Sequence, residues 1–508
     1  MTVVFGQGPL RIEDINALAA RDVAAELDGA EPYRALIEKG AGFLDRLWRE
    51  EGEIYGVTTG YGDSVTVDIP KSLIEALPLN LTRFHGCGLG RHFSLEEGRA
   101  IVASRLASLS KGHSGVTWAL LARLQWLLSE DVIPVIPAEG SVGASGDLTP
   151  LSYLAAVLVG ERDVYYQGRI RPTEDVLAEK GVAPLTLKPK EGLAIMNGTA
   201  VMTALACQAF TQAKYLSAMA TRITALMSKA LGGNSYHFDQ TLFAVKPHPG
   251  QSEVARRLRA DLHYHGEACH SRLQDRYSLR CAPHVIGALE DALPWLRGLI
   301  ETELNSSNDN PIIDAVGEQV LHGGHFYGGH IAMAMDTLKV QVANLADLLD
   351  RQLASLVDSR YNNGLPTNLT GAQGPERAIS HGFKAVQIGV SAWTAEALKH
   401  CMPASVFSRS TECHNQDKVS MGTIAARDCL RIIELTEQVT AAALLAASQG
   451  CWLRQRDHGL ELGDELAEFC ASVQRLCPPV IADRPLEGEL RQLMAELRAR
   501  TWSLYDNP

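Results

Sequence analysis

The sequence predicts a mainly α-helical protein, a large helical bundle with very little β-structure. Strand signals, meaning alternating runs of Val, Ile, Thr and aromatic residues between turns, are few and short. Apolar residues instead recur at helical spacing, and residues 330–357 and 419–453 predict two long helices that are largely buried. Helices of this length and apolar character are typical of a bundle core or of a subunit interface.

The other helical patterns are separated by joins that are rich in glycine and proline. The patterns lie at residues 12–50, with a break at Glu31-Pro32, and at 94–132, 148–160 and 193–232, with a short Val/Ile/Pro stretch at 132–137. The joins lie at residues 55–70, 86–91, 137–146, 246–250, 322–329 and 363–375. Because loops on a rigid scaffold often carry function, we expect the functional residues in these joins. We predict an N-terminal domain over residues 1–200 and a long-helix bundle domain over 201–508, which forms the oligomer core.

Composition excludes several classes of partner. The chain has 508 residues, 59 acidic against 47 basic side chains and a formal charge of −12, which argues against nucleic-acid and anionic-membrane partners. The N-terminus lacks the pattern of a signal peptide, and the longest apolar run, residues 151–160, is about half a membrane span. The ten cysteines have no paired spacing, so we expect reduced thiols in a cytoplasmic protein.

The tripeptide Ala144-Ser145-Gly146 is the most informative feature of the chain. Gly146 lacks a Cβ, so its backbone nitrogen can bend back onto the carbonyl carbon of Ala144. Cyclisation and loss of water would leave a ring with an exposed methylidene carbon, a strong electrophile of a kind that no unmodified side chain provides. The competing interpretation is an ordinary turn, because Gly, Ser and Asp favour turns. The segment also lacks the second glycine of a serine-hydrolase elbow.

The flanks of the tripeptide favour the ring. Residues 141–153, Ser-Val-Gly-Ala-Ser-Gly-Asp-Leu-Thr-Pro-Leu-Ser-Tyr, resemble the cofactor segment of the aromatic amino acid ammonia-lyases and aminomutases. In that family Ala-Ser-Gly condenses autocatalytically to 4-methylideneimidazol-5-one (MIO). The resemblance extends over residues 10–485. It implies the ammonia-lyase fold of the fumarase/aspartase-like superfamily and a homotetramer whose sites are built from several subunits.

A glycine-rich loop carries the predicted base. Residues 55–62 resemble the family segment Tyr-Gly-x-x-Thr-Gly-Phe-Gly, which implies that Tyr55 is the catalytic base and that Gly62 contacts substrate. Tyr61 replaces the usual Phe. A phenol with a pKa lowered toward the working pH is a competent base, although a Tyr in such a loop is more often a surface aromatic.

Residues 274–283 provide the predicted carboxylate site. The segment matches the family pattern Gln-Asp-x-Tyr-Ser-Leu-Arg, which implies that Arg280 binds the substrate carboxylate and that Gln274 and Tyr277 support the site. The guanidinium fork suits a carboxylate, although a surface ion pair is the commoner role of an arginine. Arg276 stands where relatives often have Pro or Ala.

Two further residues match family positions around the cofactor. Asn197, in Met-Asn-Gly-Thr, corresponds to an Asn that hydrogen-bonds the MIO ring oxygen, although a buried structural amide is the alternative. Phe326 corresponds to a Phe that packs near the ring, while His325 stands where relatives usually carry Asn.

Four residues bear on the choice of substrate and on the amine. Residues 411–421 resemble the plant phenylalanine ammonia-lyase pattern Glu-x-His-Asn-Gln-Asp, which implies that Glu412 and Gln416 lie near the amine. Histidine ammonia-lyases have Glu at the position of Gln416, taken to pair with the substrate imidazole, so Gln416 counts against histidine. Phe84 and His85 match the family's ring-binding pair. His85 can hydrogen-bond a phenol or an imidazole, or it is a structural histidine.

We therefore predict the MIO-dependent elimination of ammonia from a small-molecule substrate, L-tyrosine or L-phenylalanine, giving the aryl-acrylate. Histidine ammonia-lyase, an aromatic 2,3-aminomutase and an inactive helical scaffold stay open as alternatives. We expect no metal and no nucleotide, because the sequence contains no P-loop and no dinucleotide fingerprint. Two metal-like clusters match no standard zinc framework. They comprise His263, His265, Glu267, Cys269 and His270, and His322, His325 and His330.

Overall fold

The computed structural model describes residues 2–50, 52–264 and 272–505. Helices make up 61% of the chain and strands 7%, which confirms the prediction of a mainly α-helical fold. Two compact units are present. The first comprises Met1–Ala209, Arg297–Asp336 and Pro403–Arg427, and the second comprises Phe210–Leu296, Thr337–Met402 and Asp428–Pro508. Each unit is built from three separate segments of the chain, and the domain division at residue 200 stays a prediction.

The N-terminal part of the first unit is built from short helices. They are α1 (Ile12–Ala20), α2 (Glu31–Arg49), α3 (Leu77–Phe84), α4 (Leu95–Leu109), α5 (Trp118–Ser129), α6 (Leu148–Leu158), α7 (Thr173–Lys180) and α8 (Glu191–Met196). Helix α4 begins at a capping box, in which the hydroxyl of Ser94 accepts the amide of Glu97. The expected break at Glu31-Pro32 is instead the start of α2, because proline suits the first helical turn.

All the strands found among the described residues belong to the first unit. They are β1 (Thr2–Phe5), β2 (Ala24–Leu27), β3 (Leu89–His92), β4 (Ile133–Pro134), β5 (Pro137–Glu139), β6 (Asp163–Tyr166), β7 (Arg169–Pro172), β8 (Ile312–Asp314) and β9 (Gln319–Leu321). β1 and β2 are parallel, whereas β3–β5, β4–β6–β7 and β8–β9 pair antiparallel. β2 interrupts the helical pattern predicted over 12–50, because pairing with Val3 and Phe5 of β1 overrides the weak local propensity of Ala-Ala-Glu-Leu.

The remaining helices include the long ones. They are α9 (Ala200–Leu231), α10 (Gln240–Ala244), α11 (Pro249–Leu262), α12 (Tyr277–Arg280), α13 (Ala282–Leu304), α14 (Gly329–Val357), α15 (Lys384–Lys399), α16 (Gly422–His458), α17 (Asp464–Leu476) and α18 (Glu487–Ala499). Short 3-10 helices lie at Gly62–Thr66, Lys71–Ala76, Ser235–Phe238, Thr367–Leu369, Gly374–Ala378 and Ala404–Phe407.

Helices α14 and α16 confirm the long helices predicted at 330–357 and 419–453. The run of buried alanines at 441–443 lets other helices approach α16 closely. None of the helices in the described part of the chain is long and apolar enough to cross a membrane.

Candidate active site

The tripeptide of residues 144–146 forms a tight turn between β5 and α6. Ser145 has a φ of +50° and Gly146 a φ of +78°. A left-handed conformation costs a residue with a side chain about 1 kcal/mol, so the turn at Ser145 is strained. A Cβ on Gly146 would overlap the carbonyl oxygen of Gly198, so only glycine fits at this position.

Backbone pairing fixes this turn against residues 197–199. The amide of Gly198 donates to the carbonyl of Ser145 at 3.1 Å, and the amide of Asp147 donates to the carbonyl of Gly198 at 2.8 Å. Asn197 is buried, and its Oδ1 has no hydrogen-bond partner among the described residues. The predicted Asn197 therefore lies beside the tripeptide and retains an unsatisfied polar atom there.

Asp147 anchors the end of the turn, a role that the sequence analysis did not assign. Its carboxylate accepts the amides of Val201 and Met202, both at 3.0 Å, in the first turn of α9. The hydroxyls of Ser141 and Thr423 also donate to it. Burial raises the pKa of Asp147 to about 6, and these four hydrogen bonds oppose that shift.

The predicted base, Tyr55, lies in the loop that precedes the 3-10 helix Gly62–Thr66. Its phenol oxygen accepts the backbone N–H of Gly62 at 2.7 Å. Burial raises the pKa of Tyr55, the hydrogen bond from Gly62 lowers it, and the negative charge of Glu412 raises it further. The net pKa lies above the ordinary value, in contrast to the lowered pKa that an unassisted base at neutral pH requires.

Glu412 approaches the same loop from residues 411–416. Its two carboxylate oxygens accept the amide of Asp63 at 2.9 and 3.1 Å. Glu412, Cys413 and His414 have φ values of +49°, +52° and +64°, so three successive residues with side chains are left-handed. Hydrogen bonds between the backbones of Thr411 and Gln416 close this turn. Such strain is common at functional sites, where the surrounding structure holds it in place.

A cavity of about 410 Å³ in the first unit brings half of the predicted site residues together. Its wall includes the predicted residues Tyr55, Gly62, Ala144, Ser145, Asn197, Phe326 and Gln416. The side-chain amide of Gln416 donates to the hydroxyl of Ser145 at 3.4 Å and accepts the hydroxyl of Thr411 at 2.9 Å. Gln416 therefore faces the tripeptide directly.

The same wall contains residues to which the sequence analysis assigned no catalytic role. They include Asn310, His322, Tyr327, Asn415 and Lys418. The ring of His322 meets that of Tyr55 edge-on, with centroids 6.4 Å apart. In the sequence His322 was considered only as a metal ligand. Its position in the glycine-rich join at 322–329 is the signal that could have identified it as a site residue.

Phe84 and His85 are not among the residues that line this cavity. They lie at the end of α3, where Phe84 is 61% exposed and its ring centroid is 4.3 Å from that of His85. The Nδ1 atom of His85 lies 3.1 Å from the carbonyl oxygen of Leu81, and burial lowers the pKa of its imidazole. Their contact with the substrate ring stays a prediction.

The predicted carboxylate site lies in the second unit. Arg280 donates to the backbone carbonyl of Asp275 at 3.0 Å and to the side-chain oxygen of Gln274 at 3.4 Å. Its guanidinium lies 4.6 Å from the ring centroid of Tyr277, which is exposed. The three predicted residues are thus neighbours. Arg276 stacks on Tyr361 at 3.7 Å instead of joining them.

The described residues contain no group of three or more His, Cys, Asp or Glu side chains that could hold a metal ion. Of the first metal-like cluster, His265, Glu267, Cys269 and His270 lie outside the described residues. His322, His325 and His330 are exposed.

The site fits the predicted MIO group. Gly146 carries no Cβ that would hinder the approach of its nitrogen to the Ala144 carbonyl carbon, and a Cβ there would overlap Gly198. The carbonyl of Ser145, which would become the ring oxygen, already accepts the amide of Gly198. Asn197 lies in the same cavity wall, and its side-chain N–H group is the donor that the ring oxygen would require.

In a mainly helical fold, the cavity combines a phenol, a carboxamide and a strained backbone turn, as we expect of an enzyme active site. The family described as aromatic amino acid lyase matches residues 10–475, and the chain belongs to this family. It is an ammonia-lyase-type enzyme that acts on carbon–nitrogen bonds, within the superfamily of MIO-dependent lyases and aminomutases.

Individual relatives agree with this assignment. The histidine ammonia-lyase of Geobacillus thermodenitrificans is 37% identical over 482 residues, which cover 94% of this chain and 93% of the relative. The structure of histidine ammonia-lyase from Trypanosoma cruzi has a TM-score of 0.89 and 31% identity, covering 99% of this chain and 94% of that one. Tyrosine aminomutase from Streptomyces globisporus has a TM-score of 0.90 and 33% identity, covering 98% and 97%. The sequence relatives favour the histidine alternative over the predicted preference for tyrosine or phenylalanine.

Proposed function

We propose that this protein eliminates ammonia from an aromatic L-amino acid, and that L-histidine is its first candidate substrate, with urocanate as the product. The observation that carries the elimination is the cavity that unites Tyr55, the strained turn at Ser145 and Asn197. The similarity to histidine ammonia-lyases over nearly the whole chain supports histidine.

We infer that residues 144–146 mature to MIO. Gly198 and Asn197 would hold the ring, the first through its amide on the Ser145 carbonyl. When formed, this electrophile activates the amine of the substrate as a leaving group. No other cofactor is part of the proposal.

The chain's own groups handle the protons. Tyr55 would remove a β-proton, and the N–H of Gly62 stabilises the phenolate that accepts it. Glu412, held by the amide of Asp63, would handle the proton of the departing amine.

Four residues would bind and orient the substrate. Arg280 would hold the carboxylate through its planar fork, with Gln274 and Tyr277 as its neighbours. Phe326, in the wall of the cavity, would pack near the ring. These roles rest on the family resemblance, as does our inference of a cytoplasmic homotetramer with sites assembled from several subunits. Light scattering tests the tetramer.

Tyrosine or phenylalanine is the second candidate substrate, and Gln416 favours it. The side chain that faces Ser145 is a neutral amide, which cannot form an ion pair with a protonated imidazole. A tyrosine 2,3-aminomutase activity uses the same site, and the similarity to the Streptomyces globisporus aminomutase supports testing it.

Intact mass and product analysis test these proposals together. Loss of two waters lowers the mass of the chain by about 36 Da. Incubation with His, Tyr and Phe separately, followed by absorbance of urocanate, coumarate and cinnamate, ranks the substrates, and mass spectrometry detects β-amino acids. We expect urocanate to form fastest and Ser145→Ala to lose both the mass difference and most activity. An unmodified wild-type mass would overturn the proposed function, whereas faster coumarate or cinnamate would overturn only histidine.

A further inference from the structure

Arg105 is a fully buried cation in α4 that the proposed reaction does not use. One of its terminal nitrogens donates to the carbonyl of Asn197 at 2.9 Å and also to the carbonyl of Ala194. The other donates to the side-chain oxygen of Asn308 at 2.8 Å. Burying a charge is costly unless it is paired and hydrogen-bonded, and these hydrogen bonds offset part of that cost for Arg105.

The surroundings keep Arg105 charged. Burial lowers its pKa to about 10, and the carboxylates of Asp309 and Asp147 oppose that shift. Asp309 is itself bonded to the buried ammonium of Lys190 at 2.5 Å. At neutral pH the guanidinium therefore remains protonated, and all its hydrogen bonds here are donated ones.

Arg105 stabilises the C-terminal end of α8. The carbonyls of Ala194 and Asn197 are among the last of that helix and lack partners within it, and a cation there interacts favourably with the helix dipole. Asn197 is the C-cap residue that follows α8, and the guanidinium fixes the position of its backbone carbonyl.

In space, Gly198 lies between Arg105 and the tripeptide of residues 144–146. Gly198 has a φ of +147°, and a Cβ there would overlap the guanidinium of Arg105. The amide of Gly198 donates to the carbonyl of Ser145, and its carbonyl accepts the amide of Asp147. Gly198 therefore lies between the guanidinium on one side and the backbone of Ser145 and Asp147 on the other.

We propose that Arg105 is a positioning residue for the self-processing of residues 144–146, an inference that rests on the proposed function. Ring closure joins the Gly146 nitrogen to the Ala144 carbonyl carbon. The first water takes the Ala144 oxygen and the hydrogens of the Gly146 and Ser145 amides. The second takes the Ser145 hydroxyl and its Cα hydrogen. The Ser145 carbonyl oxygen is retained, and Arg105, through Gly198, holds it in place.

The experiment follows the intact mass of Arg105→Lys and of the wild type over time after cell-free synthesis, so that each chain is observed from its unprocessed state. Lysine keeps the charge but presents a compact ammonium that cannot reproduce the planar fork to Asn197, Ala194 and Asn308. We expect newly synthesised Arg105→Lys to lose about 36 Da at least about tenfold more slowly than the wild type, because small misplacements of reacting groups slow a reaction strongly. Arg105→Gln, which lacks the charge and keeps one amide donor, gives the same measurement if Arg105→Lys does not fold.

Arg99→Lys is the matched control. Arg99 lies in the same helix, is largely buried and pairs with Asp131 at 2.7 Å, and its other hydrogen bond among the described residues goes to the carbonyl of Ala19. Its variant controls for the general effect of replacing a buried arginine, and we expect it to lose the full 36 Da at the wild-type rate. A wild-type chain that keeps its full mass overturns the proposed function. A wild type and an Arg105→Lys variant that are processed at the same rate overturn this inference alone.

Discussion

The backbone N–H of Gly62 donates a 2.7 Å hydrogen bond to the phenol oxygen of Tyr55. The next amide, of Asp63, donates to both carboxylate oxygens of Glu412. A donor aimed at the phenol oxygen favours the phenolate, while the nearby carboxylate disfavours it. Two successive backbone amides of one turn therefore bind the proposed base and the carboxylate whose charge raises the pKa of that base.

The first prediction concerns the hydroxyl of Tyr55. Tyr55→Phe should lower kcat by about 10²- to 10⁴-fold, the usual contribution of a general base, while circular dichroism stays unchanged. Tyr61→Phe is the control, because the Tyr61 hydroxyl is buried in the same loop without a hydrogen-bond partner among the described residues. Equal losses in the two variants would argue against a base at Tyr55.

The second prediction concerns pH. The active form of Tyr55 is the phenolate, which is populated above its pKa, and burial together with Glu412 raises that pKa. Activity should therefore increase with pH on the alkaline side of neutrality. Glu412→Gln removes the negative charge and lowers the pKa, so the rising limb of kcat/KM should shift to lower pH. Glu174→Gln, at the exposed start of α7, should leave the limb in place. A shift to higher pH in Glu412→Gln contradicts the electrostatic argument.

The third prediction concerns Gln416. A carboxylate at this position can pair with the imidazole of histidine, and a hydrogen bond to a charged group is worth about 1.5 kcal/mol or more. Gln416→Glu should therefore raise the ratio of kcat/KM for histidine over tyrosine by about tenfold or more. Asn415→Asp adds the same charge at the neighbouring position in the cavity wall and should change the ratio less. Steady-state kinetics with both substrates gives the ratios, and an unchanged ratio in Gln416→Glu would remove this residue from substrate choice.

The fourth prediction concerns the left-handed turn at residues 412–414. Cys413 is exposed and has a φ of +52°, a conformation that costs a residue with a Cβ about 1 kcal/mol or more. Glycine adopts it freely but loses more entropy on folding, about 0.5 kcal/mol or more. Cys413→Gly should therefore leave stability unchanged or raise it by about 0.5 kcal/mol, whereas Cys413→Ala retains the strain and should gain nothing. Thermal unfolding of both variants measures the difference, and a Tm for Cys413→Gly below that of Cys413→Ala would contradict the strain.

Helical periodicity was a reliable guide to the fold where a segment is long. Helices α14 and α16 lie where the apolar spacing predicts them, because many turns of one helix repeat the same signal. Apolar spacing wrongly predicts helix at residues 24–27, which form a strand that pairs in parallel with β1. Four residues carry too little local preference to resist a tertiary contact. The sequence motifs do not choose between histidine and tyrosine as the substrate, since Phe84, His85 and Gln416 point to different substrates.

The sequence by itself was enough to identify the family of this protein and to predict its candidate chemistry. Ala144-Ser145-Gly146, Tyr55 and Asn197 are recognisable from their immediate neighbours, because backbone cyclisation depends on residue type and each segment matches a family motif. Only the tertiary structure decided how these groups are held. The amide of Asp63 meets Glu412 across 349 positions, the hydroxyl of Thr423 meets Asp147 across 276, and Arg105 meets Asn197 across 92. No local pattern encodes such pairs, because each forms only when the packing of the first unit brings distant segments together and removes water from between them.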